Sequence, residues 1–196
     1  MLPYSLIGLA VVCVFLVFPV GKNSGSMRIP FLLGFAGFLL ILALVAAWIL
    51  GIAMFFPHGD LAQLVKDRHR LIQGHIDLLL MAQFLFIFAG LFRLYAIEPP
   101  RWLLALCCYG AFLNAFGFMR AGFIAKPPVD VAAPTPEPSF PLPAALSFTA
   151  VTLGFLAASI LIVRAAWRAL RADQERLRAM NTAPAGGGKT NADASA

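Results

Sequence analysis

Long apolar segments separated by short polar stretches run through most of the chain. Four of these segments contain about 20 residues or more, which at about 1.5 Å rise per residue is enough for a helix to cross a hydrocarbon layer of about 30 Å. The pattern predicts membrane helices at Phe31–Phe56, Ile72–Tyr95, Trp102–Ile124 and Ala144–Trp167. We therefore expect an all-α fold, a polytopic membrane helical bundle with four core transmembrane helices.

An earlier apolar segment, Leu2–Val20, is of marginal length for a further span. It lacks a basic n-region and an A-x-A cleavage motif, so it is not typical of a signal peptide. Because Met27 would make a natural start, the segment is interpreted as an extra N-terminal helix or an over-extended gene start. The predicted organisation is an extra apolar segment, a four-helix membrane domain and a tail that is first basic and then disordered, at residues 1–26, 27–170 and 171–196.

The charge distribution predicts an orientation. Of the 196 residues, 61% are hydrophobic and 12% are charged, and the formal net charge is +6. Basic residues collect at and beyond the end of the last span, at Arg164, Arg168, Arg171, Arg176, Arg178 and Lys189. The positive-inside rule then predicts a cytoplasmic C-terminus and places the loops at 58–69 and 126–143 outside. Anionic lipid headgroups are sufficient partners for this short basic tail, so nucleic acid is not expected.

Several motifs with known chemistry are missing from the sequence. The three cysteines lie inside apolar segments, and no C-x-x-C or C-x-x-C-H is present. This argues against a zinc site, thioredoxin-type chemistry and covalently attached haem. The tail sequence GGGKT resembles part of a phosphate-binding loop, but no strand precedes it and no helix is predicted after it. The loop at 126–143 is rich in proline and is expected to be extended.

Ionisable residues inside the spans are the functional candidates, because each one costs about 3 kcal/mol to place in a bilayer. They are His75 and Asp77, with Gln73 beside them and His69 one turn above. At about 100° per residue, His69, Gln73 and Asp77 form one stripe, and His75 lies about 240° around the helix from His69. The two histidines therefore cannot ligate one metal from one helix. Two polar stripes instead predict that protein covers both sides of this helix.

The following span carries a stripe of small residues, which consists of Gly110, Asn114, Gly117 and Ala121. Its members fall within about 60° of one another on a helix, which suits close approach of a second helix or of a flat ligand. Aromatic rings surround the stripe, at Phe112, Phe116, Phe118 and Phe123.

Three interpretations of these polar residues compete. The first is that they form hydrogen bonds between helices, worth about 1 kcal/mol each. The second is that a histidine ligates haem, which also needs small residues and aromatic walls around it. The third is a relay for protons or ions, which is less favoured because the spans hold one carboxylate, Asp77, and no helix broken at mid-span.

The combination resembles the small membrane styrene oxide isomerases. In that family a span starts with a histidine that ligates haem b, and a pocket asparagine follows six residues later. The next span carries an asparagine, with a glycine and an aromatic residue shortly after it. Here His69 matches the haem ligand and His75 occupies the position of the pocket asparagine. Asn114 and Gly117 match the pair in the next span, and the resemblance extends over residues 28–170.

The resemblance implies the rearrangement of an aryl or other apolar epoxide to an aldehyde, a step of styrene degradation. Iron of haem b, held by His69, would act as a Lewis acid on the epoxide oxygen. His75 and Asn114 would orient the substrate, while Gly117 and Phe118 would contact the haem. The family also implies a homo-oligomer, a trimer, in the bacterial inner membrane.

Departures from the family pattern keep other functions open. The pocket tyrosine of the family falls at Phe118 or Met119, and neither side chain can donate a hydrogen bond. A second histidine, His75, has replaced the pocket asparagine. A haem-binding electron carrier or sensor is therefore one alternative, and a structural membrane subunit without cofactor is another.

Overall fold

The computed structural model describes residues 27–125 and 142–182. These residues form five α-helices: α1 Arg28–Phe55, α2 Asp60–Leu64, α3 Arg68–Leu94, α4 Arg101–Phe123 and α5 Leu142–Thr182. All but α2 are long and apolar enough to cross a membrane, which confirms the predicted all-α class with four membrane helices. The segment Leu2–Val20 and nearly all of the proline-rich loop lie outside the described residues.

The helices begin slightly before the apolar segments that predicted them. Arg28, Arg68 and Arg101 are each the first residue of a helix, and such polar residues cannot be recognised from hydropathy. Asp67 caps α3, since its side chain accepts a hydrogen bond from the backbone N–H of Arg70 at 3.1 Å. Pro100 precedes α4 in an extended conformation, where its missing N–H and fixed φ favour a helix start.

The long helices run alternately up and down, and the main packing contacts join long helices that follow one another in the chain, α1 with α3, α3 with α4 and α4 with α5. The start of α1 is held against the turn between α3 and α4. There Arg28 forms an ion pair with Glu98 at 3.2 Å and donates to the backbone carbonyl of Pro99 at 3.2 Å. We call this side of the bundle the Glu98 end and the opposite side, where α3 begins, the Asp67 end.

Aromatic contacts link helices that are not consecutive. The rings of Phe38 on α1 and Phe112 on α4 stack with centroids 6.3 Å apart. On α5, Phe155 meets Phe84 and Phe88 of α3 edge-on, with centroids 5.5 and 5.1 Å apart. Edge-on and offset arrangements are the favourable ones for aromatic pairs. These contacts complete the bundle around α3 and α4.

Glycines set the closest approaches between helices. A Cβ added to Gly74 of α3 would lie 2.7 Å from the backbone nitrogen of Met119 on α4, and one added to Gly122 would lie 2.9 Å from the Cβ of Leu71. On the other side of α4, a Cβ on Gly110 would lie 2.6 Å from the Cα of Val151 on α5. Small residues of this kind let membrane helices gain van der Waals contact without a hydrophobic driving force.

A backbone clasp joins α3 to α4 at the Asp67 end. The backbone N–H groups of Lys66 and Asp67 both donate to the carbonyl oxygen of Gly122, each at 2.9 Å. This carbonyl lies in the last turn of α4, where no N–H of the same helix is left to pair with it. The residues at the start of α3 therefore supply hydrogen-bond donors to a carbonyl at the end of α4.

Helix α5 continues well past the predicted membrane domain. The boundary at residue 170 falls inside the helix, which ends at Thr182. The first part of the predicted tail is therefore helical, and residues 183–196 lie outside the described part of the chain. Its 41 residues correspond to about 60 Å of helix, roughly twice the thickness of the hydrocarbon layer.

Candidate functional site

The polar residues of α3 face two different neighbouring helices. The ring nitrogen Nδ1 of His75 lies 2.9 Å from the backbone carbonyl oxygen of Ala43 on α1. Because a carbonyl can only accept, Nδ1 carries the hydrogen, and in the neutral ring the lone pair is then on Nε2. The bond fixes both the tautomer and the orientation of this partly buried imidazole.

Asp77 takes its partner from α4. The amide nitrogen Nδ2 of Asn114 donates to the carboxyl oxygen Oδ2 of Asp77 at 2.7 Å. Both residues are partly buried between the helices. Asp77 lies about 160° around α3 from His75, which explains why one residue reaches α4 and the other reaches α1.

Each polar stripe of α3 thus meets a neighbouring helix at one residue, Asp77 or His75, whereas His69 at the top of the Asp77 stripe is exposed. These two bonds are the kind of contact that the first interpretation, hydrogen bonding between helices, requires. His75 and Asn114, which the resemblance places together beside a substrate, form their hydrogen bonds on different sides of α3. Their joint catalytic role stays a prediction.

His69, the predicted iron ligand, lies in the first turn of α3 at the Asp67 end and is exposed. It is about 160° around the helix from Leu71, the residue that α4 approaches at Gly122. Its side chain therefore starts from the outward face of α3. Ile72 and Ile76 lie on one flank of this face and are 37% and 48% exposed, so the imidazole stands at the top of an apolar surface, with the polar Gln73 about 40° to its other side.

Gly117 and Phe118, the predicted haem contacts, occupy different sides of α4. A Cβ on Gly117 would meet no atom within 4 Å, and this glycine lies about 140° around α4 from Gly122, which touches α3. Phe118 is partly buried, and the guanidinium carbon of Arg70 lies 5.9 Å from its ring centroid. Arg70 and Phe118 thus form a cation–π contact between α3 and α4 at the Asp67 end.

The small-residue stripe of α4 is divided between two uses. Gly110 is buried against α5, while Gly117 is exposed and faces open space. Asn114 between them turns to α3. Close helix approach, one of the two expected uses, is therefore found for Gly110, whereas none of the described residues covers the surface at Gly117.

The donor set fits haem only in part. An accessible imidazole above an apolar face, as at His69, is what a single-histidine ligand requires. In one chain, however, His75 and Asn114 form their hydrogen bonds on different sides of α3, so the five predicted site residues do not all lie on one side of this helix.

Two further features bear on the chemistry of the bundle. Cys107 and Cys108 are buried in α4 and unpaired with each other. Among the described residues, no three His, Cys, Asp or Glu side chains are grouped so that they could hold a metal ion. A metal bound directly by several side chains is therefore not indicated in this part of the chain.

Comparison with protein-family models, with curated proteins and with solved structures found no match to this chain. The residues and the fold therefore carry the functional assignment by themselves.

Sequence reasoning missed the partners of the polar residues. The partner of His75 is a backbone carbonyl, Ala43, which no side-chain pattern can reveal. The pair of Asp77 and Asn114 could have been proposed, since a lone carboxylate and a lone amide in consecutive membrane helices are natural partners. A comparison of the depths of Asp77 and Asn114 in the membrane, for two antiparallel helices, would have predicted this pair.

Proposed function

We propose that this chain is a haem-binding membrane isomerase, which converts an apolar epoxide to an aldehyde. The observation that carries the proposal is the position of His69, an exposed imidazole at the start of a membrane helix and at the top of an apolar face. The resemblance of the spans to styrene oxide isomerases supplies the reaction. His69 is the residue assigned to the iron of haem b.

Bound ferric haem would supply a Lewis acid for the epoxide oxygen. The contributions of the chain itself are binding and exclusion of water. Ile72 and Ile76 offer an apolar surface on the same face as His69, and the surrounding bilayer concentrates apolar substrates there. A dry site protects the positive charge that develops when the benzylic C–O bond opens.

Homo-oligomerisation is part of the proposal. His69 lies on the outward face of α3, whereas the open surface at Gly117 belongs to α4. A second copy could bring its Gly117 surface to the His69 face of the first. The remaining contacts that the resemblance assigns to the haem pocket would then come from the interface.

The bacterial inner membrane is the proposed location, with the C-terminus in the cytoplasm. The support is the set of five arginines in α5, which are Arg164, Arg168, Arg171, Arg176 and Arg178. Basic residues at the end of a span are retained on the cytoplasmic side. The Asp67 end, and with it His69, would then lie on the side of the membrane opposite to the cytoplasm.

A visible spectrum of the detergent-purified full chain tests haem binding. We expect a Soret band in the native protein and in His58→Ala, the matched control in a loop, and its loss in His69→Ala. The ferric protein should be five-coordinate or water-ligated and should turn over styrene oxide without a reductant. A colourless native protein would refute the proposal.

Two other experimental results would change the proposed function. His75 has its Nδ1–H fixed by a carbonyl, an arrangement that most metal-ligating histidines share. If His75→Ala is the colourless variant and His69→Ala keeps its colour, the iron belongs on His75. A low-spin six-coordinate spectrum without epoxide turnover would instead favour an electron carrier or sensor.

A structural membrane subunit is the second candidate function. It is favoured by the hydrogen bonds of the membrane-embedded polar residues, in which Asp77 pairs with Asn114 and His75 with Ala43. On this view the polar residues serve helix packing. It predicts a colourless protein whose stability, rather than any activity, falls when these side chains are replaced.

A further inference from the structure

We propose that α5 pairs with the α5 of a second copy of this chain as a parallel coiled coil. The proposal is independent of haem and of the isomerase reaction. It rests on a stripe of side chains that runs along the side of α5 opposite to its contact with α4. We call this stripe the α5 seam.

The α5 seam follows a heptad repeat without interruption. From Leu142 to Asn181 its positions are alternately four and three residues apart, the spacing of positions a and d in a coiled coil. Its last six positions are Val163, Trp167, Leu170, Gln174, Leu177 and Asn181. The large apolar side chains of the whole seam are 48–70% exposed, so no part of the described chain covers them.

The opposite face of α5 is already occupied. Its buried side chains are small ones, among them Ser147, Val151 and Ala158, and they lie against α4 together with Gly154. The last buried side chain along α5 is that of Ala165. Beyond it, the helix leaves the bundle while the seam continues.

Lipid cannot account for the final part of the seam. A hydrocarbon layer of about 30 Å is crossed by about 20 residues, so a span that starts at Leu142 leaves the layer near Arg164. Leu170 and Leu177 follow on the protruding part of the helix and are 54% and 57% exposed. The helix is continuous to Thr182 and has neither glycine nor proline after Gly154, so this part does not bend back to the membrane.

The residues that flank the seam suit a second copy of α5. Arg164, Arg171 and Arg178 each directly follow a d position, and Asp173 directly precedes the a position Gln174. In a parallel pair, a residue before an a position reaches the residue five places later on the partner helix. Asp173 of one copy would therefore meet Arg178 of the other, an attractive pair formed twice across the symmetry axis.

The membrane fixes the relative direction of the two α5 helices, and the α5 seam fixes their register. Copies of one chain insert with the same orientation, so their α5 helices are parallel. Gln174 and Asn181 are the polar members at a positions, and in a symmetric parallel pair each amide faces its own copy. Polar residues at a positions specify register in coiled coils. A strict heptad also drifts about 20° per repeat on a straight helix, so the pair would supercoil left-handedly.

Disulfide formation in the full chain, reconstituted in vesicles, tests the pairing. Leu177→Cys is placed at a d position, and Arg176→Cys, one residue earlier on the same exposed turn, is the matched control. Both carry Cys13→Ala, while Cys107 and Cys108 are buried and stay unchanged. With copper phenanthroline, we expect Leu177→Cys to form a covalent dimer that a thiol reverses, and Arg176→Cys to remain monomeric at every lipid-to-protein ratio.

Charge exchange then tests the partner. In the Leu177→Cys chain, Asp173→Arg and Arg178→Asp should each reduce the dimer yield, and the double exchange should restore it. Equal crosslinking at positions 176 and 177 would overturn the proposal. A monomeric protein that crosslinks at neither position would also overturn it. The same holds if no disulfide forms and the vesicle lipid shields Leu177→Cys from a water-soluble maleimide.

Discussion

Replacement of Asn114 by leucine tests the bond that joins α3 to α4 in the membrane. Asn114 donates to Asp77 at 2.7 Å, and both side chains are partly buried between the two helices. Leucine has a similar volume but no donor. The variant Asn114→Leu therefore removes the hydrogen bond from Asp77 and leaves its carboxyl group inside the bundle without the amide.

The expected cost follows from two contributions. Hydrogen bonds between membrane helices are worth about 0.6 kcal/mol on average and up to about 1.7 kcal/mol. A polar group that loses its partner adds a desolvation penalty of about 1–3 kcal/mol. Together, the two contributions suggest that Asn114→Leu lowers the free energy of unfolding by about 2–5 kcal/mol. Asp77→Leu should cost less, because it also removes the group that is costly to bury.

The measurement is a double-mutant cycle on the free energy of unfolding in mixed detergent micelles. We expect the double variant, Asp77→Leu with Asn114→Leu, to be more stable than the sum of the single effects predicts, by about 1 kcal/mol. Gly117→Ala is the control on the same helix, since its added Cβ meets no atom within 4 Å. It should leave stability unchanged or raise it by up to about 1 kcal/mol through helix propensity. Additive single effects would show that Asp77 and Asn114 are not coupled.

The glycine contacts and the orientation can be tested in the same way. Gly110→Ala should destabilise the bundle by about 1–3 kcal/mol through overpacking against the Val151 backbone, whereas Gly90→Ala, which meets no atom within 4 Å, should not; equal effects would contradict the close approach of α4 and α5. A C-terminal reporter that is active only in the cytoplasm should be active on this chain. Activity of a reporter that works only outside would reverse the proposed orientation.

The fold was accessible from the sequence, because apolar length alone decides which segments can be membrane helices. The sides of α3 that carry polar residues also followed from the helical period. The hydrogen-bond partner of each polar side chain could not be predicted in this way. His75 bonds to the backbone carbonyl of Ala43, whose position depends on the packing of α1. Similarly, Gly110 and Gly117 share a stripe, yet only Gly110 is covered, because α5 contacts α4 at Val151 and leaves Gly117 open.

The order in which the helices pack has a consequence for how the protein is made. Long helices that are synthesised one after the other pack closely against each other, so every hairpin can dock as soon as its second helix has entered the bilayer. Native contacts are then local in sequence, which favours rapid folding. Phe155, which meets Phe84 and Phe88 of α3, belongs to α5, the last of the described helices to emerge. The translation of α5 therefore completes an assembly in which α1, α3 and α4 can already be in place.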